Sequence, residues 1–140
     1  VGALVSALGG TPSFAYGEAI GAVPITLTPA ARDDPLLAGL PITFDGFVGH
    51  KEGVLEPPAV CTVLARSRRC VQMLRVGHNV YATQFHPELD PESLALRIDI
   101  YRHAGYCAPD EADALIANAR QQTVTEPVKI LRQFVQRYQR

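Results

Sequence analysis

The hydrophobic period of this chain changes at Glu88. Upstream, apolar residues fall in short runs separated by Gly, Pro and charged residues. Downstream, Leu94, Ile98 and Tyr101, with Leu96 and Ile100 beside them, recur at helical spacing. The chain therefore combines strands with helices. Asp90 is a suitable N-cap and Pro91 a suitable first-turn residue for the helix that follows, which Gly105 ends. Pro109-Asp110-Glu111 opens a further helix to about residue 121, with acids at its positive end. Thr125-Glu126-Pro127 opens the last, through Arg140. Its Ile130, Leu131, Phe134, Val135 and Tyr138 form one stripe, and its end is basic.

Before the change of period, residues 1–8 read as a helix that Gly9-Gly10 terminates, because glycine supplies the left-handed conformation a helix end wants. A polar, Gly-containing stretch runs on to Ile20. Residues 23–28 read as a strand, with Pro24 marking an edge or an entry point. Residues 29–41 are a connection in which Asp33-Asp34-Pro35 is a turn or helix start rather than a metal site. Residues 44–48 form a short strand leading into Gly49-His50-Lys51-Glu52. Residues 60–66 and 71–76 form two more, joined by the polar Ser67-Arg68-Arg69, and residues 79–85 another after Gly77-His78. The last two fit a hairpin.

The totals narrow the class. With 140 residues, 47 % hydrophobic and 19 % charged, the chain has room for one domain with a real core and the composition of an ordered soluble protein. A net charge of -1 argues against a nucleic-acid partner. No apolar run approaches the ~20 residues that span a bilayer, so no membrane partner is expected either. The apolar opening lacks a basic n-region and an initiator Met and starts inside a helix, so the chain is expected to begin within a larger protein. Three cysteines (Cys61, Cys70, Cys107) at irregular spacing, with no C-x-x-C pair, argue against a disulfide framework and a zinc site, and make a cytoplasmic home the default.

One segment is placed to carry chemistry: Tyr81-Ala-Thr-Gln-Phe-His86-Pro-Glu88. A strand ends, a His stands at its tip, and a carboxylate follows two residues on. Strand tips are where open α/β sheets put reactive groups. Glu88 can hold one ring nitrogen of His86 while the other serves a nucleophile as general base. Pro87 pushes His86 toward extended geometry. Spacing alone leaves a second reading open, a surface His in a Pro turn beside a solvated Glu. His78 in its turn and His103 on its helix read as solvated, and Arg68-Arg69 as a solvated turn.

The segment Gln-Phe-His86-Pro-Glu88 after a Val-Tyr strand resembles the His-x-Glu signature of class I glutamine amidotransferases. Cys70-Val-Gln72-Met-Leu-Arg75, Gly77 and Val80-Tyr81 are similar to the preceding hairpin in GMP synthetase-like members. Asp34-Pro-Leu-Leu-Ala-Gly-Leu40 is similar to a loop of theirs. Phe47-Val-Gly-His50-Lys-Glu52 resembles the segment whose backbone lies beside bound glutamine, which makes Val48, Gly49 and His50 substrate-binding candidates. A structural loop role for His50 stays open. The resemblance covers roughly residues 1–105, the C-terminal part of the amidotransferase domain, and leaves 106–140 as a helical extension for partner docking or dimerisation.

The resemblance implies a flavodoxin-like three-layer α/β/α sandwich around a mainly parallel sheet, of which this chain supplies the later part. It also implies a Cys-His-Glu triad in which His86 and Glu88 are catalytic and the nucleophile stands in a Gly-x-Cys-x-Gly elbow. Leu8-Gly9-Gly10 is similar to the end of the helix after that elbow, which puts the Cys a few residues before Val1. Gly2 then takes the place where the family often carries Gln. None of the three cysteines present shows the helix N-terminus or His that activates a thiol. Glutamine would be hydrolysed to glutamate, with no metal or organic cofactor, and the ammonia handed to a synthetase domain or subunit. Two alternatives stand beside this: a non-catalytic amidotransferase-like binding or regulatory module, and a gamma-glutamyl hydrolase on the same fold.

Overall fold

The computed structural model describes residues 1–139. Helix α1 (Gly2–Ala7) ends as its glycines require. Gly9 takes φ 84°, its N–H bonds the Ser6 carbonyl, and the Gly10 N–H bonds the Val5 carbonyl at 2.9 Å. This is the paired closure of a Schellman end. After a 3-10 turn at Phe14–Tyr16 come β1 (Glu18–Leu27), β2 (Thr43–His50), β3 (Cys61–Arg66), β4 (Val71–Val76) and β5 (Val80–Thr83). They form one sheet in the order β2-β1-β3-β4-β5. Helices α2 (Pro91–Tyr101), α3 (Ala112–Gln121) and α4 (Pro127–Tyr138) follow. The expected end of the last helix, at Arg140, lies outside the described residues.

Three expectations need correction. The sheet is not mainly parallel: every strand pair among the described residues is antiparallel. No helix of the α1–α4 set lies between two strands, and a parallel pair needs such a crossover. Second, β1 begins at Glu18, inside the stretch read as polar and irregular. Its glycines mask a strand whose first residue pairs with His50. Third, β5 stops at Thr83 instead of Phe85. The Gln84 N–H still bonds the Gln72 carbonyl of β4 at 2.7 Å, and two residues on the His86 N–H bonds the Phe47 carbonyl of β2 at 2.9 Å. The edge role of Pro24 holds in a limited way, because β1 meets β3 only at Thr26 and Leu27.

Alternation along β2 places the core. Phe44 and Val48 pack with Ile25, Leu64, Met73, Phe85 and, from α4, Ile130. Phe47 faces the other way and packs with Leu94 and Ile98 of α2 and Ala112 and Ala119 of α3. A third cluster joins Val5 of α1 to Val54, Val71 and Leu74. Asp90 caps α2 as expected, accepting from the Ser93 N–H at 2.7 Å. The stripe on α4 is only partly covered: Ile130 is buried, whereas Leu131, Phe134, Val135 and Tyr138 are exposed.

Candidate functional site

The turn after β5 fixes His86 by both backbone and side chain. Its N–H is tied to β2 through Phe47, and Pro87 beside it is buried. His86 Nδ1 lies 2.8 Å from Glu88 Oε1, and Arg97 of α2 stands 3.6 Å from the same oxygen. A carboxylate only accepts, so the proton sits on Nδ1 and Nε2 is left as the basic nitrogen. The His86 side chain is 31 % exposed, open enough for another group to reach it. This pairing can orient an imidazole for proton transfer. It contains no nucleophile of its own.

Val48, Gly49 and His50 lie at the end of β2, just beyond Phe47. The Val48 side chain is buried in the core, so only its backbone can meet a ligand. Gly49 stands opposite a β-bulge: β1 pairs Glu18 with His50 and Gly21 with Val48, and Gly49 has no register partner. Bulges interrupt the ladder and free backbone groups at such places.

His50 belongs to a buried polar cluster. Its Nδ1 lies 2.7 Å from the Glu52 carbonyl oxygen and its Nε2 lies 2.8 Å from Glu18 Oε2. Both partners are acceptors, so the ring is an imidazolium that donates to each. Glu18 also receives Ser67 Oγ–H at 2.7 Å and Gln72 Nε2–H at 2.5 Å. Cys70 Sγ is 3.6 Å from Glu18 Oε2 and 3.9 Å from His50 Nε2. Glu18, His50 and Cys70 thus offer a carboxylate, an imidazole and a thiol within 4.8 Å of one another. Holding a cation there would require removing the Nε2 proton and the Cys70 proton, and breaking the ion pair.

Sequence reasoning singled out His50 but missed Glu18. The signal lay in register: the first residue of a strand faces the last residue of its antiparallel neighbour, which is legible only once both strand lengths are known. Cys70 is buried at 1 % exposure, while Cys61 and Cys107 are partly buried against the apolar clusters. No cysteine among the described residues is hydrogen-bonded to His86.

The cluster sets a pH dependence. Burial would lower the His50 pKa, but bonds to Cys70, Glu18 and the Glu52 carbonyl outweigh it and raise the pKa to about 9. Burial would raise that of Glu18, but donors from His50, Ser67 and Gln72 hold it below 4.5. A raised imidazolium stabilises the fold fully below the unfolded value of about 6.5 and ceases to as pH passes about 9. Glu18 acts in the opposite sense, stabilising above 4.5 and losing that in acid. Urea titrations between about pH 6 and pH 10 are expected to show a loss of roughly 2 kcal/mol that a His50→Gln variant lacks.

Comparison with known proteins places the fold. No protein-family profile matches the sequence, and no curated protein does. Solved structures do match. The glutamine amidotransferase from Thermotoga maritima superposes with a TM-score of 0.64 at 21 % identity, over 87 % of this chain and 51 % of that one. The glutamine amidotransferase from Methylobacillus flagellatus gives 0.64 at 17 % identity, over 99 % and 60 %. The protein SMU.1228c gives 0.69 at 22 % identity, over 96 % and 58 %. The fold is therefore amidotransferase-like, and the chain spans about half to three fifths of the length of these structures.

Proposed function

We propose that this chain forms the His-Glu portion of a class I glutamine amidotransferase, which releases ammonia from glutamine. The observation that carries the reading is the 2.8 Å pairing of His86 Nδ1 with Glu88 at the end of β5, beside β2. Residues 1–105 belong to the amidotransferase domain, and 106–140 are its helical extension. The domain's three-layer α/β/α arrangement is supported by helices on both sides of β2, α2 and α3 against Phe47 and α4 in the Val48 cluster.

In this reading the elbow Cys thiolate of such an amidotransferase attacks the side-chain carbonyl carbon of glutamine. The C–N bond breaks as His86 Nε2, having taken the thiol proton, gives it to the departing nitrogen, and ammonia leaves. Water, losing a proton to Nε2, then cleaves the thioester to glutamate and free thiol. Glu88 keeps the Nδ1 proton in place throughout. The backbone at Val48, Gly49 and His50 lines the glutamine site, and the ammonia passes to a synthetase domain or subunit. We assign the protein to the cytoplasm. Among the described residues, no helix is long and apolar enough to cross a membrane.

The test is ammonia release by the natural full-length product, with glutamine and a gamma-glutamyl peptide as rival substrates. Turnover of glutamine is expected. Turnover of the peptide alone would mean a gamma-glutamyl hydrolase, and turnover of neither, with a synthetase partner present, would mean a binding module.

A further inference from the structure

We propose that Glu18 is a positioning residue for the amidotransferase site: through its buried pair with His50 it clamps the end of β2 across the bulge, holding the backbone at Val48 and Gly49 in place for substrate. The inference rests on the function proposed above.

A strand end opposite a bulge lacks the ladder that would otherwise hold it. Here the ladder is interrupted at Gly49, the residue proposed to meet glutamine, and resumes at His50 with Glu18. What holds the gap is a side-chain pair. Glu18 Oε2 and His50 Nε2 are 2.8 Å apart, with the two side chains 5 % and 10 % exposed, so water does little to screen them. Ser67 and Gln72 fix the carboxylate from the β3–β4 side. The Glu52 carbonyl fixes the other ring nitrogen. Gly17 lets β1 reach this position, since a Cβ there would collide with the Lys51 carbonyl oxygen. On its other flank β2 carries the Phe47 carbonyl that seats His86. One short strand end therefore links the base, the proposed substrate contact and the clamp.

The groups facing His50 are Glu18 from β1, Cys70 before β4 and the Glu52 carbonyl. Lys51, Cys107 and Glu111 line the cleft of about 340 Å³ beside it. With a pKa of about 9 in this setting, the clamp stays closed across neutral pH.

The experiment is steady-state glutaminase kinetics on the natural full-length protein, wild type against Glu18→Gln and Ser67→Ala, from about pH 6 to pH 8. In Glu18→Gln, KM for glutamine is expected to rise about 10-fold with kcat within about twofold, the loss of one charge-assisted hydrogen bond. That KM should climb further above about pH 6.5, where an unpaired His deprotonates, while the wild-type KM stays level. Ser67→Ala leaves the charge pair and is expected to shift KM in the same direction by less, which keeps the test available if Glu18→Gln does not fold. A merely structural role would lower thermal stability and leave KM and its pH profile unchanged, which overturns the inference while the proposed function stands. An inactive wild-type protein overturns both.

Discussion

Replacing His86 with Ala in the natural full-length protein is expected to lower kcat for ammonia release by about 10³-fold or more, with KM for glutamine little changed. The imidazole stands at that strand end with Nδ1 held by a carboxylate and Nε2 left as the basic nitrogen. The neighbouring Arg97 guanidinium only donates and cannot take its place as a base. Glu88→Gln should cost less, roughly 10- to 100-fold, against the ~10⁴ seen where an orienting carboxylate is buried. Glu88 is 46 % exposed, so water can take over part of its role. Equal activity of His86→Ala and wild type in an ammonia assay would remove His86 from the chemistry.

Asp34→Ala is expected to destabilise the fold by about 3 kcal/mol in urea denaturation. The Asp34 side chain is fully buried and satisfies three partners at once. Arg75 Nη1 lies 2.6 Å from Oδ2, Tyr81 Oη–H reaches both oxygens, and the Leu36 N–H donates to Oδ1 at 3.0 Å. Truncation leaves a backbone donor and a guanidinium facing a gap. Arg75 is 26 % exposed and can turn partly toward water, which sets the loss at the low end for a broken buried pair. Asp34→Asn keeps one acceptor and should lose about half as much. A loss below ~1 kcal/mol would mean that water reaches the site freely.

Asp34 also shows how far the chain could be read in advance. The turn at Asp33-Asp34-Pro35 was legible, because an Asx side chain bonding the backbone two residues on is a local event. The ion pair to Arg75, 41 residues away, was not. The same division runs through the candidate site. His86 and Glu88 are two residues apart, so their pairing could be anticipated. Glu18 and His50 are 32 residues apart, and their meeting depends on where two strands start and stop. The start of α2 was legible because its cap and its Pro are local, whereas its end was not: the helix stops at Tyr101 instead of running on to Gly105. α4 showed its stripe, but an apolar stripe does not say what covers it, and only Ile130 is buried.

By itself the sequence determined the kind of each element, the caps at Gly9 and Asp90, the hairpin of β4 and β5, and the imidazole–carboxylate pair. All of these follow from backbone preference and side chains a few residues apart. Only the tertiary structure decided that the sheet is antiparallel in every described pair, that Gly49 lies opposite a bulge, and that Glu18 is the partner of His50. These depend on strand register, where a slip of one residue turns each side chain to the other face. Register is set by burial and turn geometry acting over the whole sheet, so no local stretch of sequence contains it.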